Sequence, residues 1–195
     1  MSADEQTRSE VLAKGALAVG SLYGALAVGP FVRRALAMSE GGDIEILNFA
    51  LTLEYLESTF YSEAKRRAGA SGELKALIEL LAKDEQEHVE ALAGTVKKLG
   101  GKPVAKPKFD FPYSDTAGFL TLAQTFEDTG VSAYNGAAPM IKSKEVLTVA
   151  GSIVQVEARH AAAIRLQNQE EPSPAGFDEP LNEKQVLKAV EPFLA

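Results

Sequence analysis

The chain has 195 residues, 46% of them apolar, which is enough to bury the core of one domain with appendages. A formal net charge of −7 and a pI near 5.0 leave no basic stripe for phosphates, so no nucleic-acid partner is expected. With no cysteine, disulfides, iron–sulfur clusters and thiolate zinc sites are excluded, and any metal must be held by carboxylates and imidazoles.

Residues 1–42 form a first unit. Within it, residues 15–32 carry no charge, with Lys14 before them and Arg33-Arg34 after. The run is long enough for a membrane anchor or an export leader, and Ala35-Leu36-Ala37 could serve as a cleavage site. The other reading is a small-residue apolar helix packed on the rest of the protein. The first reading places the protein outside the cytoplasm or on the cell envelope, with membrane association through residues 15–32. The second leaves it cytoplasmic.

Residues 43–170 carry the helical pattern. Asp43 is the expected N-cap of a first helix running from Ile44 to about Ala68, with Leu47, Leu51, Phe60, Tyr61 and Ala64 at helical spacing. Ala68–Gly72 makes a turn, and a second helix runs to Leu99, where Gly100-Gly101 stops it. Pro103, Pro107 and Pro112 mark an extended crossover over 102–115. A third helix, capped by Asp115, heads for Ile141, but Gly130, Gly136 and Pro139 predict a kink or an early end. A fourth spans about Ser143 to Gln169. Residues 171–195 form a tail with a short helix capped by Asn182.

The chain has only two histidines, His88 and His160, and each follows a glutamate, Glu85 or Glu157, by three positions. On a helix, positions i and i+3 share a face, so each pair offers an oxygen and a nitrogen to one point. Two more glutamates precede these pairs at nearly equal intervals: Glu54 lies 31 residues before Glu85, and Glu127 lies 30 before Glu157. Glu54 and Glu85 sit at similar distances from their intervening turn, hence at similar height in an antiparallel hairpin, and Glu127 and Glu157 repeat this. The long crossover lets helices 2 and 3 run parallel. The two hairpins also align as an internal repeat that sets Tyr61 on Tyr134.

Two adjacent cations need bridging anions to screen their repulsion. The pattern gives Glu85 and Glu157 that role, Glu54 and Glu127 terminal positions, and one histidine to each ion. Tyr61 and Tyr134, seven residues beyond the lone glutamates, are candidate donors to the carboxylates or redox-active phenols; ordinary core packing is the alternative. Glu57 shares a face with Glu54 but falls opposite Gly130 in the repeat, which points to the edge of the site or the surface more than to a seventh ligand. Asp84, four residues before His88, is a candidate to orient that ring.

At these residues the chain resembles the ferritin-like superfamily, an all-α four-helix bundle with a long crossover between helices 2 and 3. Asp43–Glu57 and Tyr134–Ile141 resemble bacterial ferritin-like proteins related to plant desiccation-related proteins. The resemblance implies Glu54, Glu85, His88, Glu127, Glu157 and His160 as metal ligands, two iron ions as cofactor, and dioxygen or peroxide as reactant. Manganese is the other metal the set suits, although manganese catalases usually lack one glutamate of the second Glu-x-x-His. Many relatives carry a twin-arginine leader, which is not seen before the apolar run here. Rubrerythrin-type proteins add a cysteine-held iron that this chain cannot hold. The expected activity is oxidation of Fe(II) in protection against oxidative or desiccation stress, with an oligomer compatible. The alternative is a non-catalytic envelope or scaffolding protein with a structural metal site.

Overall fold

The computed structural model describes residues 42–195, so the apolar run at 15–32 lies outside the described residues. Among the described residues the fold is all-helical, and the only pairing of β type is an isolated bridge between Phe109 and Leu194. Four long helices carry the architecture: α1 Asp43–Arg67, α2 Gly72–Lys98, α3 Thr116–Ala137 and α4 Lys144–Gln167. A short α5, Glu183–Val190, closes the chain. Among the described residues, no helix is long and apolar enough to cross a membrane.

The ends of these helices follow local chemistry. Helix α1 begins one residue earlier than its sequence suggests, with Gly42 as N-cap and the Glu45 carboxylate accepting the Gly42 N–H at 2.9 Å. Asp43 therefore does not cap α1. Its carboxylate accepts the backbone N–H groups of Lys142 and Ser143, at 2.8 and 2.7 Å, and ties the start of α4 to the start of α1. Asp115 and Asn182 do cap α3 and α5. Helix α3 ends early, as the glycines and Pro139 suggest, in a 3-10 turn at Ala138–Met140. Gly136 has a further reason to be glycine. A Cβ there would stand 1.9 Å from the carbonyl oxygen of Leu181, where the tail crosses α3 and the Leu181 N–H bonds Ser132.

The crossover between α2 and α3 runs the length of α1. It starts beside the beginning of α1, where Asn48 bonds Lys102 and Val104. It ends beside the end of α1, where the Arg67 guanidinium bonds the carbonyls of Phe111 and Tyr113 and Thr116 bonds Ala68. Helix α3 thus starts at the same end of the bundle as α2, so the two are parallel. The C-terminus holds this crossover in place: Asp110 donates to Phe193, and Ala195 to Lys108.

Two apolar clusters fill the bundle. One is aromatic: Phe60 meets Phe111, Tyr113, Phe119 and Phe126 with centroids 4.9–5.6 Å apart, and Val186, Leu187, Val190 and Phe193 of the tail join it. The other is mainly aliphatic, with Leu47, Leu51, Leu92, Val146 and Ile153. A cavity of about 20 Å³, room for about one water-sized molecule, lies among Leu47, Ala50, Leu53, Leu92, Tyr134 and Ala150 in this second half.

Candidate metal centre

In the middle of α1, α2, α3 and α4, a polar cluster interrupts this apolar filling. Glu54, Glu85, Glu127 and Glu157 are each 0% exposed, and His88 and His160 are buried with them. Burying four carboxylates together is expensive unless cations or protons compensate them. The helices bring them there because each of these residues falls on its helix's apolar stripe, among neighbours such as Leu51, Leu81, Phe126 and Ile164.

The six side chains form two overlapping groups whose ligand atoms lie within 4.8 Å of one another: Glu54, Glu85, His88 and Glu157 in one, Glu85, Glu127, Glu157 and His160 in the other. Glu85 and Glu157 are common to both. Both histidines turn Nδ1 inward. His88 Nδ1 stands 2.8 Å from Glu157 Oε1, 3.1 Å from Glu85 Oε2 and 3.3 Å from Glu54 Oε2. His160 Nδ1 stands 2.8 Å from Glu85 Oε1 and 3.7 Å from Glu127 Oε2.

Several of these close approaches are not hydrogen bonds. His160 Nδ1 and Glu85 Oε1 are both left without a hydrogen-bond partner, as are Glu54 Oε2, Glu127 Oε2 and both oxygens of Glu157. Donor atoms this close but not aimed at each other are what a shared central ion requires: ligands about 2.1 Å from one ion at right angles stand about 3 Å apart. The donor set of carboxylate oxygen and imidazole nitrogen fits iron or manganese. These buried groups could therefore hold metal ions.

The tyrosines make reciprocal contacts across the hairpins. The Tyr61 hydroxyl on α1 donates to Glu127 on α3, and the Tyr134 hydroxyl on α3 donates to Glu54 on α1. Each leaves the other oxygen of its glutamate free to face the cluster. Burial first, and then the adjacent carboxylate, push both phenols well above their ordinary pKa, so they remain donors at neutral pH.

One placement differs from the sequence expectation, and another is narrowed. Asp84 does not orient His88; its Oδ2 lies 3.4 Å from Nε2 of His160, across the bundle. Helical spacing along α2 suggested the neighbour on the same helix, but the packing of α2 against α4 brings the other ring closer. Of the two places left open for Glu57, the edge of the site and the surface, the structure has the buried one. Glu57 is 3% exposed, and its carboxylate occupies the space left open by Gly130 of α3. The sequence did contain that signal, a glycine facing a glutamate in the repeat, but without the helix pairing it could not be read as space.

Electrostatics follow from this crowding. Burial, then repulsion from neighbouring carboxylates, push Glu57, Glu85, Glu127 and Glu157 above the usual carboxylate range; the leading neighbour is Glu157 for the first three and Glu54 for Glu157. Burial works to lower the pKa of His88, but its contacts with Glu157, Glu54 and Glu85 override that and push it up to about 12. For His160 burial prevails and the pKa falls.

A family model for the ferritin-like domain matches residues 42–170. The chain belongs to the ferritin-like domain family. The match spans α1 to α4 and all six residues of the cluster. Solved structures agree at the level of the fold. A conserved hypothetical protein from Mycobacterium tuberculosis superposes with a TM-score of 0.59 at 18% identity, over 69% of this chain and 96% of that one. A two-domain protein from Anabaena variabilis, with DJ-1/ThiJ/PfpI-like and ferritin-like domains, superposes with a TM-score of 0.54 at 18% identity. That match takes in 89% of this chain and 52% of the other, so this chain spans about half the length of the two-domain protein. No curated protein matches the chain.

Proposed function

We propose that this ferritin-like protein holds two iron ions and oxidises Fe(II) with dioxygen or peroxide, limiting oxidative damage. The observation that carries this reading is the pair of overlapping ligand groups with Glu85 and Glu157 in common. In it, Glu85 and Glu157 would be shared by the two ions, Glu54 and His88 would complete the hold on one, and Glu127 and His160 on the other. Four carboxylates offset the four positive charges of two divalent ions, and the neutral imidazoles add donors without adding charge. Bound iron supplies one electron per ion for reduction of the oxidant.

The remaining work falls to the chain. Tyr61 and Tyr134 hold Glu127 and Glu54 in orientation through their hydroxyls. Asp84 stands where it can hold the Nε2–H of His160, leaving Nδ1 as the ligand atom. The surrounding apolar clusters exclude bulk water from the buried carboxylates and imidazoles. We also infer that residues 15–32 direct export or envelope attachment, which N-terminal sequencing of the natural protein and its partition with membranes would test.

Anaerobic loading with Fe(II), followed by oxygen, tests the function. The reading expects two Fe(II) per chain, and oxygen uptake coupled to ferric absorbance that is lost in Glu85→Ala. The near-complete burial of the cluster favours a second reading, a structural site in a non-catalytic protein. Tight binding of two ions with no oxygen uptake would select it.

A further inference from the structure

The internal repeat is broken at one place inside the cluster. Glu54 aligns with Glu127 and Tyr61 with Tyr134, but Glu57 aligns with Gly130. The break is not at the periphery. A Cβ on Gly130 would stand 3.1 Å from Glu57 Oε1 and 3.5 Å from Glu157 Oε2. Gly130 is thus the gap through which the Glu57 carboxylate reaches from α1 toward α3, and its neighbour there is an oxygen of Glu157 that has no hydrogen-bond partner. Among the described residues, Glu57 makes no hydrogen bond or ion pair, and it belongs to neither group of mutually close donor atoms, so its carboxylate would swing inward from the gap to reach an ion.

The side on which it lies is legible. Glu157 turns Oε1 toward His88, at 2.8 Å. Its other oxygen, the one on the Gly130 side, is left for the position built with Glu127 and His160. We propose that Glu57 is a fifth carboxylate for the metal pair, serving the His160 position and not the His88 position, so that the two positions differ in charge and in affinity. This rests on the dinuclear reading above. Two divalent ions are already neutralised by four carboxylates; a fifth gives the His160 position an excess negative charge. That position therefore fills first, and the His88 position second.

The test is anaerobic titration of the metal-free protein with Mn(II), followed by calorimetry and by the electron paramagnetic resonance of the bound ion. Wild-type protein is expected to bind two ions in separate steps. Glu57→Gln keeps the shape and removes the charge; it is expected to weaken the tighter step about tenfold or more and to bring the two steps together. Gly130→Ala, which puts a methyl group 3.1 Å from Glu57 Oε1 and so crowds the carboxylate in its gap, is expected to change the same step in the same direction by a smaller factor. Far-ultraviolet circular dichroism checks that each variant is folded, and either variant alone suffices if the other is not. If wild type binds two ions and a folded variant keeps both affinities within about twofold, Glu57 is no ligand while the dinuclear reading stands. If wild type binds no ion, both fall together.

Discussion

The two hairpins, α1–α2 and α3–α4, deliver the same set of candidate ligands, yet they do not build the same environment. Each contributes a lone glutamate, a Glu-x-x-His and a tyrosine that reaches across to the other hairpin's glutamate. The first hairpin adds Glu57 and Asp84, and the second has Gly130 and Val156 in their places. Both extra acids reach toward the other hairpin: Asp84 approaches His160, and Glu57 lies against the gap at Gly130. The two imidazoles consequently differ, with His88 pushed up to about 12 among three carboxylates and His160 pushed down by burial. A near-symmetric backbone can thus present an electrostatically lopsided site, and the lopsidedness is carried by very few residues.

Removing a shared ligand should have the largest effect, because it touches both halves. Glu157→Ala should reduce the metal content from two ions per chain to less than one, measured by elemental analysis after anaerobic loading. Loss of a ligand used by one half alone, as in Glu127→Ala, should leave about one ion, held on the His88 side.

Metal removal comes next. Carboxyls raised in the fold stabilise it below their unfolded pKa and lose that contribution as pH rises through the folded value, and His88 has the same sign. His160, lowered in the fold, acts in the opposite direction up to about 6.5. The metal-free protein should therefore lose thermal stability between about pH 5 and pH 8, while the loaded protein, its charges neutralised by the ions, should show a higher Tm and little slope. A metal-free Tm that rises over that window would contradict the buried-carboxylate account.

The tyrosines sharpen the symmetric part of the comparison. Tyr61→Phe and Tyr134→Phe should each weaken binding about 10- to 100-fold, the first mainly at the His160 position and the second mainly at the His88 position. Equal effects of both variants on one position would show that the crossed pairing is wrong. The smallest effect belongs to Asp84→Asn, which keeps an acceptor near His160. A loss of affinity below about tenfold, confined to one binding step, is expected by calorimetry.

Much of this was legible in the sequence because helical periodicity is a local property. The Glu-x-x-His spacings, the prolines of the crossover and the caps Asp115 and Asn182 each act within a few residues, and each sits where its spacing placed it. What could not be read depends on which helix faces which. Asp43 is a good N-cap by type, but Ser143, the residue that caps α4, lies close enough to take its carboxylate. Asp84 is near one histidine along the chain and near the other in space. Glu57 reads equally as an edge or a surface residue until the helix pairing sets Gly130 against it. The tail's Leu181, which passes within reach of Gly136 and so demands glycine there, is equally invisible to local pattern.

The most direct test is anomalous diffraction at the iron edge from crystals of the protein loaded with Fe(II) under anaerobic conditions. Two peaks are predicted, about 3.5–4 Å apart, one touching Glu54 and His88, the other Glu127 and His160, with Glu85 and Glu157 spanning both. No peak in the cluster, or a single ion bound elsewhere with the six side chains turned away, would contradict the dinuclear centre.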